Sequence, residues 1–221
     1  MPEDILMSWS GGKDSAFALY EILRGGKYRV KALLTTVTEE YDRVSMHGVR
    51  RTLLHAQAAS IGLPLEEVWI PSKSDNATYE ARMRAVLLKH KATGARSVAF
   101  GDLFLQDIRD YREERLAQIE MRGLFPIWGR DTKELPEEML RLGFRATLCC
   151  VDPKKLGKEF CGREFDRELL DSLLSGVDPC GENGEFHTFV HAGPVFKREI
   201  PIEKGEVVLR DGFYFADILP A

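Results

Sequence analysis

The sequence predicts an α/β fold: a doubly wound parallel five-stranded sheet followed by a smaller α+β domain. Three observations carry that prediction. Short apolar runs alternate with stretches of helical spacing through the first 130 residues, the pattern of βαβ crossovers. Those runs are continuous rather than alternating, as expected of strands covered on both faces. Beyond about residue 130 the pattern changes to β-like alternation with Gly-centred turns, which places the domain division at 1–132 and 133–221.

Each element has its own signal. Residues 5–9 form an apolar run ending in glycines, a buried strand. Asp14 or Ser15 can cap a helix through Ala16, Leu19 and Leu23, stopped by Gly25 and Gly26. A strand follows at 30–37. Helical spacing returns at Val49, Leu53, Ala56 and Ile61, and Gly62 closes it. A third strand spans 67–70, and a helix carries Tyr79, Met83, Val86 and Leu87. A fourth strand runs to Phe100, a charged helix covers 110–122, and a fifth strand 124–128. In the second part a helix is expected at 135–142, a strand at 144–151, a short helix at 165–174 and a Gly-rich loop at 178–185. Residues 186–218 read as strands with turns at Gly193-Pro194, Lys204-Gly205 and Asp211-Gly212.

Composition narrows the function classes. The chain has 221 residues, 44% of them hydrophobic and 30% charged, the make-up of an ordinary globular protein. A net charge of -4 weighs against a dedicated nucleic-acid partner. No apolar run approaches the roughly 18 residues of a membrane span, and the acidic start Pro2-Glu3-Asp4 is unlike a signal peptide. A cytoplasmic protein is expected. Cys149, Cys150, Cys161 and Cys180 lack the spacing of a zinc or redox pair and read as reduced structural thiols.

Ser10-Gly11-Gly12-Lys13-Asp14-Ser15 is the strongest local signal, set between a buried strand and a helix. Two glycines admit a ligand close to the backbone, the helix start offers unpaired N–H donors, and Lys13 adds charge. That is a phosphate cradle. The spacing of a Walker A loop is absent. Asp14 would repel phosphate unless a cation lay between them, which points to Mg²⁺ on Asp14. Residues 10–15 resemble the SGGxDS signature of the PP-loop ATP pyrophosphatases. The resemblance implies ATP as cosubstrate, cleavage between the α- and β-phosphates, and the HUP-type fold of the adenine nucleotide α-hydrolases.

A second distinctive stretch is Gly181-Glu182-Asn183-Gly184-Glu185-Phe186-His187-Thr188, preceded by Asp178-Pro179-Cys180. Glu185 and His187 are two apart, so on a strand they would share a face, and a carboxylate beside an imidazole can hold its tautomer or take a proton. This stretch resembles the GExGEFHT element of the diphthine–ammonia ligase family, a PP-loop subgroup. The resemblance spans nearly the whole chain, with Ser45-Met46-His47 after strand two and Gly101-Asp102 ending strand four.

The resemblance implies an AMP- and pyrophosphate-forming ligase that adenylates a carboxylate and amidates it with ammonia. Lys13, Asp14, Glu185 and His187 are its candidate catalytic residues. Ser10, Gly11, Gly12, Lys13, Asp14, Ser15, Thr35, His47 and Gly101 would hold the nucleotide; Glu182, Glu185, Thr188 and Asp102 would meet the acceptor. Asp102 also follows a parallel strand at its carboxyl end, where open α/β sheets place ligands. Tyr111, Arg112 and Arg115 could meet a carboxylate, although a solvated charged face is the simpler reading. In an archaeon or eukaryote the acceptor would be diphthine on translation elongation factor 2, and elsewhere a small carboxylate. Pro2 after Met1 leaves no N-terminal cysteine for a glutaminase, so free ammonia or a partner is the expected nitrogen source. A homodimer is compatible with the sequence. Two rivals stand beside this reading: a PP-loop enzyme that thiolates RNA, and an ATP-binding sensor without turnover.

Overall fold

Apolar side chains at Ile5, Leu6 and Met7 leave this segment no polar face, and the chain buries all three in its central strand, β1 (Glu3–Ser8). The computed structural model describes residues 2–45 and 47–221; Met46, within the Ser45–His47 stretch, lies outside them. Helix α1 (Lys13–Gly25) follows β1 and ends on left-handed Gly26. Next come β2 (Tyr28–Thr38), the short β3 (Arg43–Val44) and α2 (Arg51–Ile61), which Gly62 closes in the same way. Then β4 (Leu65–Ile70) leads to α3 (Asn76–Ala92), whose first turn is capped by Asp75 accepting from Thr78 N at 2.8 Å. The first part ends with β5 (Ser97–Ala99), α4 (Gln106–Ala117) and β6 (Arg122–Leu124).

Five of these strands run parallel in the order β4-β2-β1-β5-β6, and β3 adds antiparallel to the far end of β2. After β4 the chain crosses to the other side of β1, so β1 and β5 are neighbours from opposite windings. Their carboxyl ends flank the crevice where doubly wound sheets bind ligands. Successive β1 side chains divide the interior. Ile5 and Met7 pack with α1, α2 and the second part of the chain, and Leu6 packs with Leu87 and Leu116 on the α3–α4 side.

The second part holds α5 (Glu134–Arg141), β7 (Arg145–Val151), α6 (Arg167–Ser172), β8 (Phe186–Ala192), β9 (Ile202–Arg210) and β10 (Phe213–Pro220). Its four strands form an antiparallel sheet in the order β8-β7-β10-β9. One apolar core joins this sheet to α1 and α2: Phe17 lies 5.8 Å from Phe144 between ring centroids. Among the described residues, no helix is long and apolar enough to cross a membrane.

Three expectations shift. Neither Asp14 nor Ser15 caps α1; Gly12 is its N-cap and carries no side chain to do so. The fifth parallel strand is 122–124, and 125–129 is turn, because Pro126 cannot donate to a ladder. Its helix accordingly sits earlier, at 106–117. Lys204-Gly205 is not a turn but lies inside β9, opposite a register shift between Ala216 and Ile218.

Candidate functional site

The site begins where β1 stops. Trp9, buried, donates its backbone N–H to Leu34 O at 2.7 Å and its indole N–H to Gln57 Oε1 at 2.9 Å. Gly11 then turns the chain at φ 80°, a conformation for which glycine carries no steric cost. Ser10 Oγ accepts from Gly12 N at 3.2 Å and lies 3.2 Å from Ser15 Oγ, so the two hydroxyls flank the turn.

The second part of the chain completes this loop. Lys13 N donates to Thr188 Oγ1 at 3.0 Å, which supplies the α1 N-terminus with the acceptor that Gly12 lacks. Val190 N donates to Gly11 O at 2.9 Å. Gln57 ties the joint from beneath, its amide donating to Gly11 O at 3.0 Å and Val190 O at 2.6 Å.

Lys13 is buried, and its ammonium donates to both Asp14 carboxylate oxygens at 2.9 Å and to the Cys180 carbonyl. Burial pulls its pKa down more than any other single effect, but Asp14 and the nearby groups of Cys180 and Glu182 together hold it above the ordinary value. Gly101, after β5, touches the start of α1 so closely that a Cβ there would stand 2.7 Å from the Asp14 carbonyl carbon. Asp102 follows. Its Oδ1 accepts from Arg112 Nη2 at 3.2 Å, and Arg112 Nε lies 2.8 Å from Oδ2 without pointing at it. Arg112 also stacks on the Phe100 ring at 4.4 Å.

The Gly-rich loop 178–185 covers the other side. Glu182 Oε1 accepts from Leu103 N at 2.8 Å. Burial, with Asp14 and Asp102 nearby, pushes the Glu182 carboxyl up to about 7. The His47 and His187 rings lie 4.5 Å apart between centroids. Burial, with Lys13 close by, pushes His187 down to about 4, and burial beside His187 takes His47 well below its usual range. Both imidazoles are neutral at pH 7.

These elements enclose two connected chambers. A polar recess of about 250 Å³ holds Ser10, Lys13, Asp14, Ser15, Asp102 and Glu182. Beside it a cleft of about 560 Å³, with Leu34, Thr35, Val98 and Tyr79 on its walls, is mainly apolar. Ser8, Ser10, His47, Phe100, Arg112 and His187 line both. A small recess rich in N–H, hydroxyl and ammonium donors, opening into an apolar slot, fits a polyphosphate joined to a nucleoside.

Of the residues singled out in the sequence, Ser10, Lys13, Asp14, Ser15, His47, Gly101, Asp102, Glu182, His187 and Thr188 all line the recess. Thr35 lines the cleft, with a buried hydroxyl that has no partner. Gly11 and Gly12 shape the turn beneath. Glu185 is the correction. It precedes β8 rather than sharing a strand face with His187, and its carboxylate is fully buried, accepting from Asp178 N at 3.1 Å and Asn183 Nδ2 at 3.3 Å. It shapes the loop and does not reach the chambers. Arg112, read as solvated, lines both of them. Gln57 gave no sign beyond being polar in an otherwise apolar helical stripe. The four cysteines are buried free thiols.

Two family models match successive segments of the chain. Residues 4–122 match the family model described as diphthamide synthase N-terminal domain, and residues 131–218 the one described as diphthamide synthase C-terminal domain. A zebrafish protein named diphthine–ammonia ligase is 29% identical over 95% of this chain and 90% of its own length. The human protein of that name is 25% identical over 95% and 86%. The fission yeast one is 28% identical over 90% of this chain and 36% of its own. With the N-terminal model alone matching more than half of its residues, the chain belongs to the diphthamide synthase family.

Proposed function

We propose that this chain is an ATP-dependent amide ligase that adenylates a carboxylate, releases pyrophosphate, and uses ammonia to displace AMP. The observation that carries the reading is the junction between the two distinctive motifs: Thr188 and Cys180 of the second bind the backbone N–H and the ammonium of Lys13 in the first. One site is thus built from a phosphate cradle and a loop whose sequence is that of carboxylate–ammonia ligases.

In this reading the triphosphate occupies the polar recess and the nucleoside the apolar cleft, with the base near Thr35 and the end of β2. The acceptor carboxylate attacks the α-phosphorus, and the bond to the β-phosphate bridging oxygen breaks. Lys13, the loop N–H groups and the Ser10 and Ser15 hydroxyls balance the charge that grows on departing pyrophosphate. Ammonia then attacks the acyl carbon and AMP leaves with the oxygen that bound it. His187, neutral, can accept a hydrogen bond from incoming ammonia and orient its lone pair toward the acyl carbon, the proton lost as the amide forms passing to water. Glu182 and Asp102 line the acceptor side.

Mg²⁺ fits this donor set. Among the described residues no group of three or more His, Cys, Asp or Glu is arranged to hold a metal, but Mg²⁺ on nucleotides needs one or two carboxylates, with phosphate and water completing its shell. Asp14, beside the cradle, is the carboxylate that would hold it, and the ion would neutralise phosphate charge. The relatives' name supplies the acceptor proposed here, the carboxylate of diphthine, carried by elongation factor 2 in an archaeal or eukaryotic source. The compartment proposed is the cytoplasm, where buried free thiols stay reduced.

The test is ATP–pyrophosphate exchange measured over a set of carboxylates that includes the diphthine-bearing factor. Exchange should depend on one acceptor, and amide and AMP should form only when ammonium is added. Replacing Lys13 by Ala should slow exchange by roughly 10²–10³-fold, as loss of a preorganised charge donor does. Release of ADP and phosphate, or exchange indifferent to every acceptor, would overturn the assignment.

A further inference from the structure

The loop between β3 and α2 brings His47 to the nucleotide site, and the second part of the chain holds it there. Arg43 and Arg50, at the two ends of this loop, face each other across an isolated antiparallel bridge. Both guanidiniums converge on one carboxylate. Arg43 Nη2 donates to Asp217 Oδ1 at 3.0 Å, and Arg50 donates through Nε to Oδ1 at 2.9 Å and through Nη2 to Oδ2 at 2.6 Å. Arg43 also donates from Nη1 to the Gly48 carbonyl at 2.7 Å, one residue from His47.

The same strand fixes the loop a second time. Gly48 has φ +68°, and a Cβ on it would lie 2.7 Å from Phe215 Cδ1. Phe215 therefore forms the floor under the loop while Asp217 clamps its ends. Asp217 sits at the register shift between Ala216 and Ile218, where both flanking residues are buried. An irregularity of this kind re-aims a side chain out of the usual alternation. Gly205 makes room for it, since a Cβ there would stand 2.9 Å from the Asp217 carbonyl. At the loop's far end His47 Nε2 lies over the phosphate loop, 3.3 Å from where a Cβ on Gly12 would be.

We propose that Asp217 is a positioning residue for nucleotide binding: by joining Arg43 to Arg50 it fixes Gly48 and the adjoining His47, which forms the wall between the polar recess and the apolar cleft. The inference rests on the reading of those chambers as an ATP site. It makes nucleotide affinity depend on a residue of the last strand that touches no part of either chamber. Without the carboxylate, two guanidiniums face each other unpaired, and their repulsion opens the loop.

Asp217→Asn preserves shape and removes charge. In the full-length protein it should raise the Kd for Mg·ATP about tenfold, the scale of one lost clamp. His47→Ala should do the same, and Asp217→Asn added to His47→Ala should change Kd less than about twofold, because one acts through the other. Asp217→Glu should recover part of the affinity. A role confined to stability would instead lower Tm and leave the Kd for Mg·ATP unchanged, and losses that multiplied in the double variant would mean that the two residues act independently; either result would overturn the proposal. A second readout needs no nucleotide: the His47 ring Cε1–H NMR resonance should shift in Asp217→Asn, with those of His55 and His90 unmoved. An unmoved His47 line with unchanged Kd refutes the clamp. If the wild-type chain binds no ATP, the nucleotide reading is what fails, and the NMR line alone then decides whether Asp217 positions His47.

Discussion

Gln57 shows how much one buried side chain can organise. Its amide satisfies three groups at once: the Trp9 indole, the Gly11 carbonyl at the turn of the phosphate loop, and the Val190 carbonyl on β8. It is wholly buried, so no water can replace those bonds when it is removed. Leaving a buried donor or acceptor unpaired costs about 1–3 kcal/mol each. Gln57→Leu, close in volume, should therefore destabilise the chain by on the order of 3 kcal/mol or more in urea titration. Calorimetry should show weaker ATP binding as well, because the carbonyl set free belongs to the loop that receives the phosphates. Its sequence position carries no such information; its partners lie 46, 48 and 133 residues away.

At the scale of elements, α1 gets its N-terminal acceptor from a different sheet. A Cβ on Gly12 would stand 3.1 Å from the Thr188 carbonyl oxygen, closer than ordinary contact, and a glycine N-cap brings no oxygen of its own. Thr188 on β8 supplies it. Thr188→Val keeps the shape and should cost about 1 kcal/mol, the net worth of an ordinary hydrogen bond, with a shift of the Lys13 amide resonance; Thr188→Ser should restore both. If Val leaves that amide unmoved, the cap is not what holds the helix start. The parallel sheet and the two motifs were legible in the sequence because continuous apolar runs and glycine turns are local signals; the order of the strands was not. The partnership of α1 with β8 was not, because no local pattern encodes which distant hydroxyl meets a helix end. Glu185 went astray for a related reason: two-residue spacing implies a shared face only inside a strand, and β8 begins one residue later. Gly205 suggested a turn because a glycine at an irregularity in a ladder and one in a turn look alike before pairing is known.

For the whole molecule, the placement of titratable groups between the two sheets ties stability to pH in a way that can be taken apart. His187 has its folded pKa pushed down to about 4, below the ordinary imidazole value near 6.5. Between those values the unfolded chain carries a proton on this ring that the folded chain does not, so this residue's contribution to stability falls as pH drops from 6.5 to 4. Glu182 has the opposite sign. Its folded pKa, raised to about 7, exceeds the ordinary carboxylate value, so from pH 7 down to about 4.5 the folded chain binds the extra proton and gains stability. Each group can change the slope by at most ~1.4 kcal/mol per pH unit, one proton's worth. His47, depressed in the same direction as His187, adds to the loss on acidification. In nucleotide-free protein the opposing contributions partly cancel, and the variants separate them. Urea unfolding at several pH values between 4.5 and 6.5 should give a shallower loss of stability on acidification for His187→Ala than for wild type. Glu182→Gln should give a steeper one, since it removes the group that gains on protonation. Slopes changed in the same direction by both substitutions would show that the imidazoles and the carboxylate of this recess are not held in opposite protonation preferences by the fold.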